Sequence, residues 1–477
     1  QTMHSHGSTE RADDDPTRPP QVQLVDALTG ASPQLDGGAL VVTVALQDSA
    51  PARGGLSWLR RFIAGLGPGV ITGAADDDPS AITTYSIAGA AYGYRLLWTA
   101  VFVFPLLSAV QLMCARLGMV SGQGLGSVLR QRYGPRVAWC ACLLLIVANT
   151  FQIAADLSGL GEVLAMLTGI SARLWPPVIA TLLLVMMIRL SYRGVTRVFK
   201  WLALALFAYV GAAALSEPNW FDVAEATLVP RVPWTGNGVA TLVGILGSVI
   251  SPYIFFWQTA QVVEDERQLG RRTVHERRGA TADELKSSAI DVVTGMAFAC
   301  VVMYFIMLTA GSTLYPAGKR AIETAPQAAE ALRPLAGRGA YLLFSLGFIG
   351  AGMLGVPALA GSAARAISET SRLRHRLSLH ERGAGISLCV LVGAALAAGV
   401  VLDYVGLTPV EMLFWAAVLN GVLAAPLVIL VVLLTSDATV MHEHVNPTAL
   451  RVLGWLTGLL LTAAATALLL CACGLIG

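Results

Sequence analysis

Long apolar runs separated by short polar stretches dominate the chain from about residue 59 onward. Eleven of these runs come close to the roughly 20 residues that an α-helix needs to cross a bilayer. They cover about 59–93, 96–119, 136–160, 174–191, 196–216, 238–265, 286–312, 339–368, 385–404, 409–434 and 449–474. The pattern therefore predicts an all-α integral membrane protein with eleven spans.

Composition and charge narrow the class of protein. Of the 477 residues, 55% are hydrophobic and 13% are charged, whereas a soluble domain carries about 25% charged residues. The net charge of +2 is too small to indicate a nucleic-acid partner. The seven cysteines lie in apolar runs without the spacing of a zinc site. No phosphate-binding P-loop and no catalytic constellation occurs, so we expect a protein that is not an enzyme and holds no cofactor.

The chain divides into a polar N-terminal part and an apolar remainder. Residues 1–56 are rich in polar residues, and their one apolar run, 38–46, is too short to span a bilayer. We expect 1–56 to be a disordered cytoplasmic tail and 57–477 to be the transmembrane domain. The sequence does not set the oligomeric state, and a monomer is compatible with it.

Lysine and arginine are unevenly distributed between alternate loops. They are concentrated after the second, fourth, sixth and eighth apolar segments, most densely between residues 267 and 286. Because cytoplasmic loops carry the excess of positive residues, these loops are expected inside. The prediction is a multi-pass protein of the cell membrane with its N-terminus inside and its C-terminus outside.

Two apolar segments are interrupted by proline. The first segment is broken at 78–80 (Asp-Pro-Ser) and the sixth at 251–253 (Ser-Pro-Tyr). Proline removes a backbone donor and disturbs the preceding turn, and one such residue is equally consistent with a simple kink. Two interrupted helices at matching positions of two five-helix halves are typical of inverted-repeat transporters, whose ion or substrate site lies at the breaks.

Three consecutive aspartates, Asp76, Asp77 and Asp78, precede the first proline. Carboxylates at membrane depth are costly and usually functional. Successive helical residues point about 100° apart, so at most one or two can face one site. Asp78 adjoins the break and is the first candidate for a cation ligand. Asp76 and Asp77 are expected to line the aqueous approach or to cap the half-helix.

At these residues the chain resembles the Nramp family of divalent-metal transporters. The matching stretches are 67–69, 78–79, 93–98, 156–157 and 251–253. The resemblance implies a leucine-transporter-like fold, with two inverted five-helix repeats, broken helices 1 and 6, and an eleventh helix. It also implies transport of a divalent cation.

The metal site implied by the resemblance departs from the usual family motifs. Family members carry D-P-G-N in helix 1, where this chain has Ala81 in place of the asparagine. They carry M-P-H in helix 6, where Ser251 replaces the methionine and Tyr253 the histidine. The backbone-carbonyl ligands of the family would fall on Ala75 and Ser248. The five implied metal-site positions are Asp78, Ser251, Ala75, Ser248 and Ala81.

The departures resemble those of the Nramp-related magnesium transporters. A sulfur ligand favours transition metals, whereas carboxylate, hydroxyl and carbonyl oxygens suit Mg²⁺, which keeps several waters. The acidic residue usual three positions after Asp156 is Gly159 here. With that acid and the histidine replaced, we expect uptake of Mg²⁺ and/or Mn²⁺ with weak or absent proton coupling.

Several further polar residues lie in apolar segments. Those that could border an ion path are Asp76, Asp77, Asp156, Tyr253, Gln258, Gln261 and Asn420. Asn149, Gln152 and Asp156 form one helical stripe, which could instead be a polar seam between helices. Gln258 and Gln261 could likewise only hydrogen-bond between helices, and Asn420 could belong to a gate or to small-residue packing.

Three alternative functions remain at this point. A proton-coupled Mn²⁺/Fe²⁺ importer of the main family type would need replacements for the lost methionine and histidine. A carrier of an organic solute with a carboxylate would be disfavoured by repulsion from Asp78. A metal sensor without flux would use the long loop near 267–286, but the sequence shows no appended folded domain.

Overall fold

The computed structural model describes residues 73, 76–189, 204–271, 273–371, 390, 392–401 and 408–473. Three predicted features lie outside these residues: the tail at 1–56, most of the first half of the first segment, and the ligand Ala75. Within them the main helices are α1 Pro79–Tyr92, α2 Trp98–Ser121, α3 Leu125–Thr168, α4 Trp175–Arg189, α5 Ala208–Leu215, α6 Trp220–Leu228, α7 Gly236–Val249, α8 Pro252–Gln268, α9 Ala282–Thr313, α10 Ala340–Ser371, α11 Pro409–Thr435 and α12 Thr448–Ala472.

Outside the two proline breaks, the apolar segments predicted from sequence are helical over nearly all of the residues that the structure describes. Among the described residues, seven helical stretches are long and apolar enough to cross a membrane; α7 and α8 together form one of them, Gly236–Arg267. The others are α2, α3, α9, α10, α11 and α12. Shorter apolar helices at Ala172–Met187 and Val392–Val401 fall on the fourth and ninth predicted segments.

The third helix is longer than the apolar run that predicts it. Helix α3 begins at Leu125, about eleven residues before the expected start at residue 136. A kink divides it at Gly134, whose φ of 86° lies in the region that glycine adopts without strain. The helical turns before the kink carry Arg130 and Arg132, and these charges made the sequence resemble a loop. The apolar part after the kink is the predicted span.

Both predicted helix breaks are present. Helix α1 starts at Pro79, and α7 ends at Val249, three residues before α8 starts at Pro252. Helix α1 packs along α9 and α11, α7 packs along α11, and α3 packs along α10 and α11. The breaks therefore lie among α3 and α11, inside the bundle and away from lipid.

Helices α7 and α11 approach each other at a pair of glycines. A Cβ built on Gly247 would lie 2.1 Å from the carbonyl oxygen of Ala417 and 2.2 Å from the backbone nitrogen of Gly421. Both contacts are with backbone atoms, which cannot move aside as a side chain can. This backbone-to-backbone contact is typical of close helix packing in membranes, and it sets the position of α11 beside the second break.

We expect Gly247→Ala to lower the thermal stability of the detergent-solubilised protein, because the added methyl group forces α7 and α11 apart. Overpacking of a well-packed interior costs about 1–3 kcal/mol. The midpoint of thermal unfolding, followed by size-exclusion recovery after heating, measures the effect. Gly236→Ala is the control, since a Cβ there meets nothing within 4 Å. Equal midpoints for the two variants would contradict the close contact.

Candidate metal site

The first break presents the Asp78 carboxylate at the start of α1. Asp78 is the N-cap residue, with an extended backbone conformation (φ −72°, ψ 175°). Its Oδ1 accepts hydrogen bonds from the backbone N–H of Ala81 at 3.0 Å and from the hydroxyl of Ser80 at 2.8 Å. Pro79 at the first helical position needs no hydrogen-bond partner for its nitrogen. The cap thus uses only Oδ1 of the carboxylate, and Oδ2 can contact groups outside α1.

The second break is held by Ser251. The backbone of Ile250 (φ −110°, ψ 63°) leaves the helical region, and Ser251 is extended. The hydroxyl of Ser251 lies 2.7 Å from the carbonyl oxygen of Gly247 and 3.1 Å from that of Ser248, to which it donates. Its oxygen keeps lone pairs that can accept or bind a cation. The hydroxyl of Ser248 is buried and has no hydrogen-bond partner among the described residues.

The two half-helices α1 and α7 pack side by side. A Cβ on Gly244 would lie 3.3 Å from the methyl carbon of Thr84. Thr84 lies five residues after Pro79, and Gly244 five residues before Val249. At about 1.5 Å per residue, each break is roughly 7.5 Å from this contact. Since helices 1 and 6 of inverted repeats run in opposite directions, both breaks lie at one depth.

Gln152 of α3 joins the first break to α11. Its side-chain nitrogen Nε2 lies 3.2 Å from Asp78 Oδ2, 2.6 Å from Ser80 Oγ and 3.0 Å from Asp156 Oδ1. Its oxygen Oε1 accepts a hydrogen bond from Nδ2 of Asn420 at 2.9 Å. All of these side chains are buried. Asp78 is therefore tied to α3, and through Gln152 to α11.

A continuous series of contacts then connects the two breaks. Asn420 is followed by Gly421, which touches Gly247 of α7. The carbonyl of Gly247 accepts the hydroxyl of Ser251. Carboxylate, amide, hydroxyl and carbonyl oxygens from α1, α3, α7 and α11 thus converge on one buried region. Such a set is suited to a cation that prefers oxygen ligands.

Asp156 is the second carboxylate of this region. It is fully buried, and its Oδ1 accepts from Gln152. Its Oδ2 has no hydrogen-bond partner among the described residues. A buried carboxylate oxygen without a partner is expensive in a membrane interior, so Asp156 stays a candidate for the ion path.

Asp76 and Asp77 are buried as well, with exposed fractions of 2% and 1%. The half-helix is capped by Asp78 and not by either of them. Asp76 Oδ1 and Asp77 Oδ2 have no hydrogen-bond partner within the described part of the chain. A water-exposed turn is thereby excluded for the three aspartates. Their place along an aqueous approach stays a prediction.

Some of the remaining predicted residues lie near the two breaks, and others contact neighbouring helices. Tyr253 and Ala81 are buried beside the breaks, Gln258 is buried six residues after the start of α8, and Gln261 is half-buried. Asn149 lies on the same stripe as Gln152 but donates to the carbonyl of Leu359 and the hydroxyl of Ser362 on α10. Of the stripe, Gln152 and Asp156 thus lie in the candidate site, whereas Asn149 belongs to the polar seam between α3 and α10.

Two residues of the network were not predicted as site residues. Gln152 was predicted only as a member of the stripe. Its position four residues before Asp156 in an apolar helix indicates that the two side chains lie on one face and can interact. Ser80 directly follows the break and donates to Asp78. Across the described residues no group of three or more histidine, cysteine, aspartate and glutamate side chains could hold a metal. A cation here would depend on hydroxyl and carbonyl oxygens beside Asp78.

Comparison with known proteins decides the family. The family model described as "Natural resistance-associated macrophage protein-like", or Nramp, matches residues 69–471. The match covers both breaks, α3 and α11. The chain belongs to the Nramp family. The predicted resemblance is confirmed at this level, and so is the prediction of a transporter that is not an enzyme.

Two similar proteins place this Nramp chain among known relatives. It is 26% identical over 396 residues to the divalent metal cation transporter MntH of Klebsiella pneumoniae (strain 342), covering 82% of this chain and 90% of that protein. Its fold matches the crystal structure of the Eremococcus coleocola manganese transporter in complex with an aromatic bis-isothiourea substituted compound, with a TM-score of 0.66. That match is at 20% identity and covers 88% of this chain and 89% of the other. The predicted fold class is confirmed.

Proposed function

We propose that this Nramp protein transports divalent cations across the cell membrane, taking up Mg²⁺ and/or Mn²⁺ with weak or no proton coupling. The observation that carries the proposal is the donor chemistry at the paired breaks. The groups there are the carboxylate of Asp78, the hydroxyls of Ser248 and Ser251, and backbone carbonyls. These hard oxygen ligands suit Mg²⁺ and are also accepted by Mn²⁺. The name of the similar MntH protein supports a divalent metal as substrate.

The position of Gly159 supports weak proton coupling. A Cβ there would lie 2.7 Å from a methyl carbon of Leu413 and 3.2 Å from the ring of Phe348. These apolar neighbours fill the space in which the main family carries an acid. Tyr253 replaces the family histidine, the side-chain type whose ordinary pKa lies nearest to neutral pH. Without proton drive, entry would depend on the inside-negative potential, which favours a dication by about twice 2.3 kcal/mol per 100 mV.

One observation favours a proton-coupled Mn²⁺/Fe²⁺ importer of the main Nramp type. Asp156 is a buried carboxylate with one unpartnered oxygen, and Gln152 bridges it to Asp78. A carboxylate so placed could accept a proton when a metal binds.

The positive-inside distribution of lysine and arginine leads us to propose, for either mode of transport, an N-terminus inside and a C-terminus outside.

Flux into proteoliposomes tests the proposal and its alternative together. Mg²⁺ or Mn²⁺ is supplied outside, a K⁺ gradient with valinomycin sets an inside-negative potential, and dyes inside report metal and pH. We expect both ions to enter without acidification, at rates that rise with the potential. Mn²⁺ entry with acidification and no Mg²⁺ entry would establish the proton-coupled alternative. Absence of any metal entry above protein-free liposomes would contradict both.

A further inference from the structure

The side-chain amide of Gln152 lies between two buried carboxylates, where a positively charged side chain would otherwise be expected. Its NH₂ group lies 3.2 Å from Asp78 Oδ2 and 3.0 Å from Asp156 Oδ1. Two carboxylates in a low-dielectric interior repel each other, and an unpaired buried charge is strongly destabilising. The positively polarised N–H groups offset part of this repulsion. Among the described residues, neither carboxylate accepts a hydrogen bond from lysine or arginine.

A cation on the lone pair of Asp78 Oδ2 that Gln152 now engages would exclude this amide arrangement. An Mg²⁺ ion would lie about 2.1 Å from a carboxylate oxygen, within the space toward which the N–H hydrogens of Gln152 point. Those hydrogens carry positive partial charge and cannot act as ligands. Gln152 must therefore turn its amide or withdraw when an ion takes that lone pair of Asp78.

The opposite end of the same amide is attached to α11. Oε1 of Gln152 accepts from Asn420, which adjoins the close contact of Gly421 with Gly247 of α7. A planar amide cannot turn its NH₂ away from Asp78 and keep its oxygen on Asn420. Ion binding at Asp78 therefore disturbs a contact with α11 beside the second break.

We propose that Gln152 is a positioning residue that exchanges with the transported cation. Its amide offsets part of the repulsion between Asp78 and Asp156 while the carrier reorients without an ion. It gives way when an ion binds, and this alters the contact with α11 through Asn420. This inference rests on the proposed function, in which Asp78 binds the transported ion. It assigns Gln152 to the return step of the cycle, in which the carrier reorients without an ion. Net uptake requires this step, whereas exchange of one ion for another does not.

Comparison of net uptake with exchange tests this role. In proteoliposomes, Gln152→Leu is measured for net Mn²⁺ entry into metal-free vesicles and for entry of labelled Mn²⁺ into vesicles loaded with Mn²⁺. We expect net uptake to fall about tenfold, the scale of one lost hydrogen bond to a charged group. Exchange should fall markedly less than net uptake, because its cycle does not require the return without an ion.

Asn149→Leu is the matched control. Asn149 is a buried amide on the same stripe, but within the described part of the chain its Nδ2 donates to Leu359 and Ser362 of α10. A general effect of losing an amide from α3 would reduce net uptake and exchange in parallel, and this variant measures that effect. Gln152→Asn, which keeps the amide on a shorter side chain, should lie between the wild type and Gln152→Leu, and it serves if the leucine variant does not fold.

The outcomes separate this inference from the proposed function. A parallel loss of net uptake and exchange in Gln152→Leu or Gln152→Asn would overturn the exchange role, and so would two unchanged rates. Failure of the proposed function would appear earlier, as the absence of metal entry by the wild-type protein. A selective loss of net uptake, absent in Asn149→Leu, would establish the role.

Discussion

Asp78→Asn is expected to abolish divalent-cation uptake while leaving the protein folded. Asparagine is as good an N-cap as aspartate, so the bonds from Ala81 and Ser80 can persist and α1 still starts at Pro79. The change removes the negative charge and puts an NH₂ group in place of Oδ2, the oxygen that accepts from Gln152. Two unit charges 4 Å apart attract by about 4 kcal/mol at an effective dielectric of about 20, which corresponds to about a thousandfold loss of affinity. Uptake of Mn²⁺ into proteoliposomes and Mn²⁺ binding by calorimetry measure the loss.

Asp437→Asn is the matched control for this variant. Asp437 is also an N-cap aspartate, which accepts from the backbone N–H of Thr439 at 2.8 Å. It lies between α11 and α12, outside the spans, where its ion pair with Arg132 lowers the pKa of its carboxyl to about 2. We expect uptake close to the wild-type rate. Normal transport by Asp78→Asn, or equal losses in both variants, would contradict the assignment of Asp78 as ligand.

The sequence predicted the parts of the site that depend on local chemistry. Proline cannot continue a helix without losing a backbone hydrogen bond, so both breaks were visible at Pro79 and Pro252. A carboxylate beside such a break could be singled out because charges at membrane depth are rare. The structure bears out both breaks, and it places Asp78 as the cap of α1.

The choice of partners across helices was not predictable from one chain. Gln152 and Asn149 are both buried amides on α3, yet one bonds to Asp78 and the other to α10. Which face of α3 meets which neighbour depends on packing, such as the contact of Gly247 with Gly421. Helical periodicity gives the stripe but not the rotation of the helix against its neighbours. The start of α3 was misjudged for a related reason, since the turns before Gly134 carry charges.

The selectivity of the site is expected to follow the side chain at position 251. Ser251→Met introduces a soft thioether, which favours Mn²⁺ over Mg²⁺, and it frees the carbonyls of Gly247 and Ser248 that the hydroxyl now engages. We expect the ratio of Mn²⁺ to Mg²⁺ uptake to rise about tenfold, the equivalent of about 1.4 kcal/mol. Competition between the two ions in proteoliposomes measures the ratio. Adding Ala81→Asn supplies a further oxygen where Mg²⁺ would keep a water, and should raise the ratio again.

Ser251→Leu separates the sulfur atom from the change of volume. Leucine and methionine are similar in size and exchange with little strain, so both variants disturb the break alike and only methionine can bind a metal. We expect the leucine variant to take up both ions more slowly than the wild type and in the wild-type ratio. A higher ratio in both variants would show that crowding sets the preference. Equal ratios in the wild type and Ser251→Met would mean that Ser251 does not contact the ion and that its hydroxyl serves only to hold the second break through Gly247 and Ser248.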